Sequence, residues 1–336
     1  MPWNLINTIK SPAKKGGVGP ARWVAVGGAG NLIAYSSDGN TWTAAASTGG
    51  LTTEGRVAYG KDGAGLPRWV AVGGGSMIAY SSNGVNWTQT TSTGGFSTVG
   101  RGVAYGTDGA GVGRWVAVGN GSIIAYSSDG SNNWTAASTI GGLNTIGRGV
   151  AYGTNGAGVP RWVAVGNGGI AYSSNGASWS SASSNGGIGS YVVSVAYGTN
   201  GAGAPRWVAV GSGGTGIAYS SNGADWNSAS SSIISIGQGV AYGTNGAGVP
   251  RWVAVGNGGI VYSSDGASWT TAASTGGLSN MQNVAYGTDG AGVPRWVAVS
   301  ISGSMIAYSS DGNNWTATTS NGGVSSINGV AFNPDI

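Results

Sequence analysis

The chain has no cysteine and no histidine, only two phenylalanines, a single glutamate (Glu54), and charged side chains at just 7% of its 336 positions. Without Cys or His there is no disulfide framework, no thiolate nucleophile, no Ser-His-Asp triad and no ordinary zinc, haem or iron–sulfur site, so neither cofactor nor metal is expected. An average globular domain carries about 25% charged residues, so solubility here must rest on Ser, Thr, Asn and exposed backbone. The formal charge of +4 is a mild bias, and no Lys/Arg cluster exceeds Lys14-Lys15; nucleic acid is not an expected partner. Apolar runs of about 18 residues are missing, which argues against membrane insertion. The first 15 residues, MPWNLINTIKSPAKK, hold no apolar stretch of the kind a secretory signal needs, so the expectation is a soluble chain with no classical signal peptide.

Glycine (69), tryptophan (15) and tyrosine (14) are abundant, and they recur at fixed intervals. Disordered chains are poor in aromatics and rich in charge, so this chain is expected to fold. RWVAV begins at Arg22, Arg68, Arg114, Arg161, Arg206, Arg251 and Arg295, at spacings of 44 to 47 residues. Downstream of each lies YSS with Asp-Gly or Asn-Gly, then a second tryptophan, and between copies lies GVAYG or a variant. Each unit thus holds four short apolar stretches bounded by Gly, Asn, Asp, Ser or Pro, which read as strands a (GVAYG), b (RWVAVG), c (IAYSS) and d (WTAAS). Asp-Gly and Asn-Gly supply the positive φ that a tight c-to-d hairpin requires. Glycine at 69 of 336 positions, with no sustained 3.6-residue period, argues against helix.

Seven four-stranded units predict an all-β fold, a seven-bladed β-propeller with four antiparallel strands per blade. WVAV is apolar at consecutive positions, as a strand buried on both faces should be. The first unit lacks a strand a, since Lys10 and Pro12 stand there, while the chain finishes on GVAFN (329–333) with no b, c or d behind it. The C-terminal strand should therefore complete the first blade and leave no free edge. Residues 1–15, with Trp3, form a lead segment, and 16–336 a single propeller.

SSDGNTW (36–42) and its equivalents resemble the Asp-box of bacterial sialidases and of photosystem II assembly-factor propellers, a Ser-x-Asp-x-Gly-x-Thr-Trp pattern on the c-to-d hairpin. Most copies here are one residue shorter from Asp to Trp, and Asp is replaced at Asn83, Asn175 and Asn222. The resemblance implies fold, with the boxes structural. The whole unit is also similar to repeat arrays in phage and large DNA virus proteins, which implies a virion or extracellular surface.

Seven of the ten acids occupy the a-to-b and c-to-d turns, where other copies have Asn. A short acceptor that tolerates left-handed backbone is what these turns need, rather than charge. A sialidase-like glycosidase would require three substrate-binding arginines, a Tyr–Glu pair and an acid donor, and glycoside hydrolysis needs two carboxyls flanking one bond; outside the turns only Glu54, Asp225 and Asp335 remain. No catalytic residues are expected. The strand-b arginines read as a structural ring. Arg56, Arg101 and Arg148 stand in three consecutive units at the start of strand a, where other units have Gln238, Ser194, Asn283 or Asn328, and should cluster near the channel mouth. They are the candidate ligand-binding residues, with ordinary surface charge as the alternative. The d-to-a and b-to-c loops vary from copy to copy while the other turns do not, and loops on a rigid scaffold commonly carry binding. The expectation is a non-enzymatic recognition module for a glycan or cell-surface receptor, with a structural part docked on a capsid or tail protein as the alternative.

Overall fold

The computed structural model describes residues 22–30, 32–75, 78–96, 98–121, 123–230, 236–303 and 305–336. The lead segment 1–15 and the stretch before Arg22 lie outside the described residues. Among the described residues the regular elements are 28 β-strands. They form five four-stranded sheets and one eight-stranded sheet, the latter two blades joined by the single pair Ser212↔Ile236, so the units number seven. Blade 4 is representative: strand a Gly147–Thr154, b Pro160–Gly166, c Gly169–Ser173 and d Ser180–Ser181, antiparallel throughout. The other a strands are Leu51–Lys61 (blade 2), Gly100–Thr107 (3), Tyr191–Thr199 (5), Ile236–Thr244 (6), Leu278–Thr288 (7) and Val324–Phe332 (1). Each lies against the next, and the last against the first, around a central channel.

The ring closes as the sequence predicts. Trp23 pairs with Phe332 and Val26 with Gly329, and the Asn333 N–H donates to the Arg22 carbonyl at 2.7 Å. This topology is a seven-bladed propeller with one-plus-three closure.

Strand b explains the double-faced apolar pattern. Side chains alternate across a strand, so Trp23 and Ala25 pack against Val297 and Val299 of blade 7, while Val24 and Val26 pack against Trp69 and Ala71 of blade 2. The same exchange gives one core cluster at each interface between blades, and all seven strand-b tryptophans are fully buried. At about 150–250 Å² and ~25 cal/mol per Å², each could contribute up to roughly 4–6 kcal/mol. Their indole N–H groups also find partners across the interface: Trp162 Nε1 donates to the Thr107 carbonyl at 2.9 Å and Trp207 to that of Thr154 at 2.9 Å. Trp69 has no such acceptor among the described residues. It faces the closing strand, where Asn333-Pro334 stands in place of the usual Gly-Thr.

Two further devices tie blade to blade. The glycine of GVAYG seats the aromatic ring of the next blade: a Cβ on Gly153 would lie 2.2 Å from the Tyr197 ring. The Tyr197 hydroxyl then bonds Thr154 Oγ1 at 2.5 Å. Strand d is shorter than the sequence suggests, two residues per blade, because the rest of its length serves the outer rim. There a hydroxyl clasps the next blade's second tryptophan: Ser47 Oγ accepts from the Trp87 N–H at 2.7 Å and donates to the Trp87 carbonyl at 3.0 Å. Thr139, Ser184, Ser274 and Ser320 repeat the clasp on Trp179, Trp226, Trp315 and Trp42.

The acidic residues of the turns act as acceptors. In the c-to-d turn Asp38 Oδ1 accepts from the N–H groups of Asn40 and Thr41, both at 2.8 Å, and Asn83 Oδ1 does the same for Val85 and Asn86 at 2.9 and 3.0 Å. In the a-to-b turn Asp62 and Asn155 each accept two N–H groups in matching geometry. Burial pushes the Asp311 carboxyl up, but donation from Asn314 and Asn313 outweighs it and brings the pKa down to about 2 from 3.8. Asp38, Asp129 and Asp265 are lowered by the same balance.

Two outcomes follow for solution measurements. Deleting residues 328–336 removes most of the pairing that closes blade 1 and should abolish the single cooperative thermal transition or bring on aggregation; an unchanged melting curve would contradict the closure. Because the folded pKa of these turn aspartates lies below the unfolded value, their stabilisation is present above about pH 4 and is lost as pH falls toward about 2. The variant carrying Asp38→Asn, Asp129→Asn, Asp265→Asn and Asp311→Asn should fold normally and show a shallower acid limb in urea midpoints taken between those pH values. An acid limb as steep as that of the parent chain would refute this account.

Candidate functional site

The propeller presents two faces. On the a-to-b/c-to-d face the strand-b arginines are struts. Six of them, from Arg68 to Arg295, lie over the strand-c tyrosine of their own blade at 4.4 to 5.0 Å. Arg161 and Arg251 reach on to the turn carbonyls of Asn222 and Asp311 in the following blade at 2.9 and 2.8 Å. Where the turn carries Asp, the guanidinium also pairs with it, as in Arg68–Asp62 at 2.9 Å. Stacking plus bonds to fixed carbonyls is the structural role expected of a planar, five-donor side chain.

On the opposite face the innermost strands begin with a β-bulge. The register shifts between Gly100 and Gly102, Gly147 and Gly149, Val192 and Ser194, Gly237 and Gly239, Met281 and Asn283, and across Gly27, which pairs with Ile327 where Val26 pairs with Gly329. The extra residues are Arg101, Arg148, Val193, Gln238, Gln282 and Asn328. A bulge re-aims its side chain away from the ladder, and here all six line one cavity of about 240 Å³ at the channel mouth, together with Arg56 and Tyr191.

This register corrects the sequence alignment. Arg56 pairs with Val72, the place held in other blades by Gly102, Ser194 and Asn283. Ser194 and Asn283 are therefore not equivalents of Arg101 and Arg148 but sit one residue deeper, and the true equivalents are Val193 and Gln282. The reason is visible in the chain: blade 2 reads RVAYG and lacks the glycine of RGVAYG. All three arginines nevertheless face one cavity, Arg56 from the register below the other two.

Each guanidinium is held. Arg101 Nε donates to Asn120 Oδ1 at 2.7 Å and Arg148 Nε to Asn167 Oδ1 at 3.1 Å. Arg148 also lies 4.0 Å from the Tyr191 ring centroid, a cation–π contact. Arg56 Nη1 donates to the Asn328 carbonyl across the closing seam. Asn120, Asn167 and Tyr191 were not singled out by the sequence, although the run RWVAVGN carries the asparagine in each case. Gln238, Gln282 and Asn328 place primary amides around the rest of the rim, and no acid is among the described residues lining the cavity.

Beneath the mouth a second cavity of about 160 Å³ shares Arg56, Arg148 and Val193 and is walled by Val57, Val103, Val150, Val195, Val240 and Val284, with Ser194 and Asn283. These valines are nearly buried, and they form an apolar floor under a cationic and amide rim. Of the three acids outside the turns, Asp225 and Asp335 stand elsewhere. Asp225 bonds Ser183 and Asn222, which hold its carboxyl below the usual range. Asp335 accepts from the Tyr59 hydroxyl at 2.9 Å and lies 3.8 Å from Lys61 Nζ, latching the C-terminus; burial and Asp335 raise the Tyr59 pKa. The side chain of Glu54 is outside the described residues.

No family model matches the sequence, and no curated protein is similar to it by sequence. Solved structures are similar in fold. The BP39L lectin from Burkholderia pseudomallei superposes with a TM-score of 0.58 at 16% identity, over 88% of this chain and 98% of the lectin. The GH74 enzyme of Niastella koreensis gives 0.53 at 16% identity over 88% of this chain, which spans only 44% of that enzyme. YCF48 bound to D1 peptide gives 0.51 at 15% identity, over 90% of this chain and 85% of the other. At these identities the likeness establishes the propeller fold.

Proposed function

We propose that the chain is a non-catalytic recognition module that binds an anionic glycan at the channel mouth, on a virion or extracellular surface as its repeat resemblance implies. The observation that carries this reading is the convergence of Arg56, Arg101 and Arg148 on one cavity whose other polar groups are amides and a phenol. Guanidiniums recognise carboxylate or sulfate through charge-assisted bonds, amides serve hydroxyl and acetamido groups, and an apolar floor with a few convergent polar groups is the usual make-up of a small-ligand site. Hydrolysis would call for paired carboxyls across one bond, a different set of side chains from the one gathered here. The variable b-to-c and d-to-a loops surround the same mouth and would contact the remainder of a larger glycan or receptor. The lectin among the similar folds supports a carbohydrate ligand, and the peptide-bound neighbour supports the broader class of recognition propellers.

One observation favours a second reading, a structural part docked on a capsid or tail protein. Leu66, Val112, Val159, Val249 and Val293 occupy the same a-to-b turn position in five blades and are 48 to 61% exposed, a ring of aliphatic side chains on the opposite face.

A glycan array of sialylated, sulfated and neutral sugars separates the two. The recognition reading expects binding confined to acidic glycans, weakened at least about tenfold by Arg56→Gln, Arg101→Gln and Arg148→Gln together, since each charge-assisted bond is worth ~1.5–3 kcal/mol. The melting temperature should hardly move, whereas Arg161→Gln, which removes an interblade strut, should lower it and leave binding intact. A preference for neutral sugars, or equal binding by the triple variant, would overturn the anionic site. No glycan binding combined with a stable complex with a capsid or tail protein would favour the second reading.

A further inference from the structure

Blades 4 and 6 amount to a substitution experiment within one chain. Residues 146–179 and 236–269 differ at three of 34 positions: Arg148/Gln238, Ala171/Val261 and Asn175/Asp265. Val261 is buried in the core and Asp265 stands in a c-to-d turn that accepts either residue. Only the Arg148/Gln238 exchange faces the cavity. Both residues sit in the same strand-a bulge.

The asparagine that holds Arg148 lies 19 residues further on, and the spacing from Arg101 to Asn120 is again 19. Blade 6 keeps it. Asn257 follows Gln238 by 19 residues, at the end of the strand-b run RWVAVGN, and its backbone stands opposite Ile236 as that of Asn167 stands opposite Ile146. Blades 1, 2, 5 and 7 have Gly28, Gly74, Ser212 and Ile301 after their strand-b runs, so among the described strands the asparagine occurs only where the bulge holds Arg or Gln, and the Gln282 bulge of blade 7 lacks it.

We propose that a strand-a bulge residue and the asparagine 19 positions later form a seat, in which the asparagine positions the side chain and the bulge residue sets the charge, and that blade 6 is a third such seat occupied by Gln238. Arg donates through Nε to the asparagine, which fixes the plane of the fork and turns its terminal nitrogens on a defined line into the mouth. Glutamine in the same seat offers a neutral amide. The cavity thereby distinguishes two edges of its ligand: an anionic group, carboxylate or sulfate, over blades 3 and 4, and a neutral hydroxyl or acetamido group toward blade 6. This ligand assignment rests on the recognition reading above, whereas the seats are a statement about the chain itself.

The probe is N-acetylglucosamine 6-sulfate, titrated by calorimetry, with ¹⁵N-arginine NMR to follow the Nε–H groups. Gln238→Arg should bind the probe at least about tenfold more tightly than the parent chain, one added charge-assisted bond, and Gln238→Arg with Asn257→Ala should lose that gain. Asn120→Ala and Asn167→Ala should weaken binding at an unchanged melting temperature, and the slowly exchanging Nε–H signals of Arg101 and Arg148 should vanish in the respective variants. Asn167→Asp keeps an acceptor, so it should retain the Arg148 signal while lowering affinity through its charge. A parent chain that binds the probe but gains nothing from Gln238→Arg, or Nε–H signals indifferent to the asparagines, would overturn the seats. If the parent chain binds no acidic sugar, the recognition reading fails, and the appearance or absence of an Asn257-dependent Nε–H signal in Gln238→Arg still decides whether blade 6 is a seat.

Discussion

Burial of the strand-b tryptophan between adjacent blades is the constraint on which the rest depends. A chain with so little charge and one glycine in five has few other sources of order, and the fully buried indoles supply the largest apolar contacts at every interface. Since Trp and Ala of WVAV face one neighbour and the two valines face the other, no blade can bury its core alone. Stability is therefore a property of the closed ring, and the carbonyl acceptors, tyrosine–glycine seats and rim hydroxyl clasps all act across the same interfaces. Blade 1 departs from this pattern on both sides. Toward blade 7, Phe332 seats on Gly287 with no hydroxyl to offer, and toward blade 2 Trp69 Nε1 has no acceptor among the described residues while Asp335 contacts Tyr59 and Lys61.

The same rigidity fixes the side chains of the channel mouth. Seven a strands fixed around a channel give each bulge residue a set position, so that one substitution in one blade changes one sector of the rim and leaves the scaffold untouched. The invariant turns on the opposite face serve the fold, because their Asp and Asn residues accept the same backbone N–H groups. Where those carboxyls remain they add acid sensitivity.

The architecture was legible because its causes are local and repeated: the period of RWVAV, the Asp-Gly and Asn-Gly turns, and the orphan strand GVAFN that pairs beside Trp23. Strand d was less so, since the residues after Trp42 read as a strand and instead spend their hydroxyls on the neighbouring blade. The three arginines were legible as an exception to the repeat, yet their alignment was not. Counting back from VAYG would have separated Arg56 from Arg101, but only the ladder shows that the residue two before Val is bulged into the channel and that Val193 and Gln282 share its place. Asn120 and Asn167 stand in the same blades as their arginines, 19 residues on, a pairing that the a-b ladder makes, whereas Tyr191 begins the next blade and is brought to Arg148 by the ring.

The central claim, that the cationic arc of the channel mouth is a binding site for an anionic group, is most directly tested by a crystal structure of the protein soaked with selenate and, separately, with a sulfated disaccharide. The account predicts an anomalous selenium peak within hydrogen-bond distance of the Arg101 and Arg148 guanidiniums, displaced by the sugar's sulfate, with the sugar's neutral edge toward Gln238. Selenate and sugar bound only elsewhere, or a mouth left empty at saturating concentration, would contradict it.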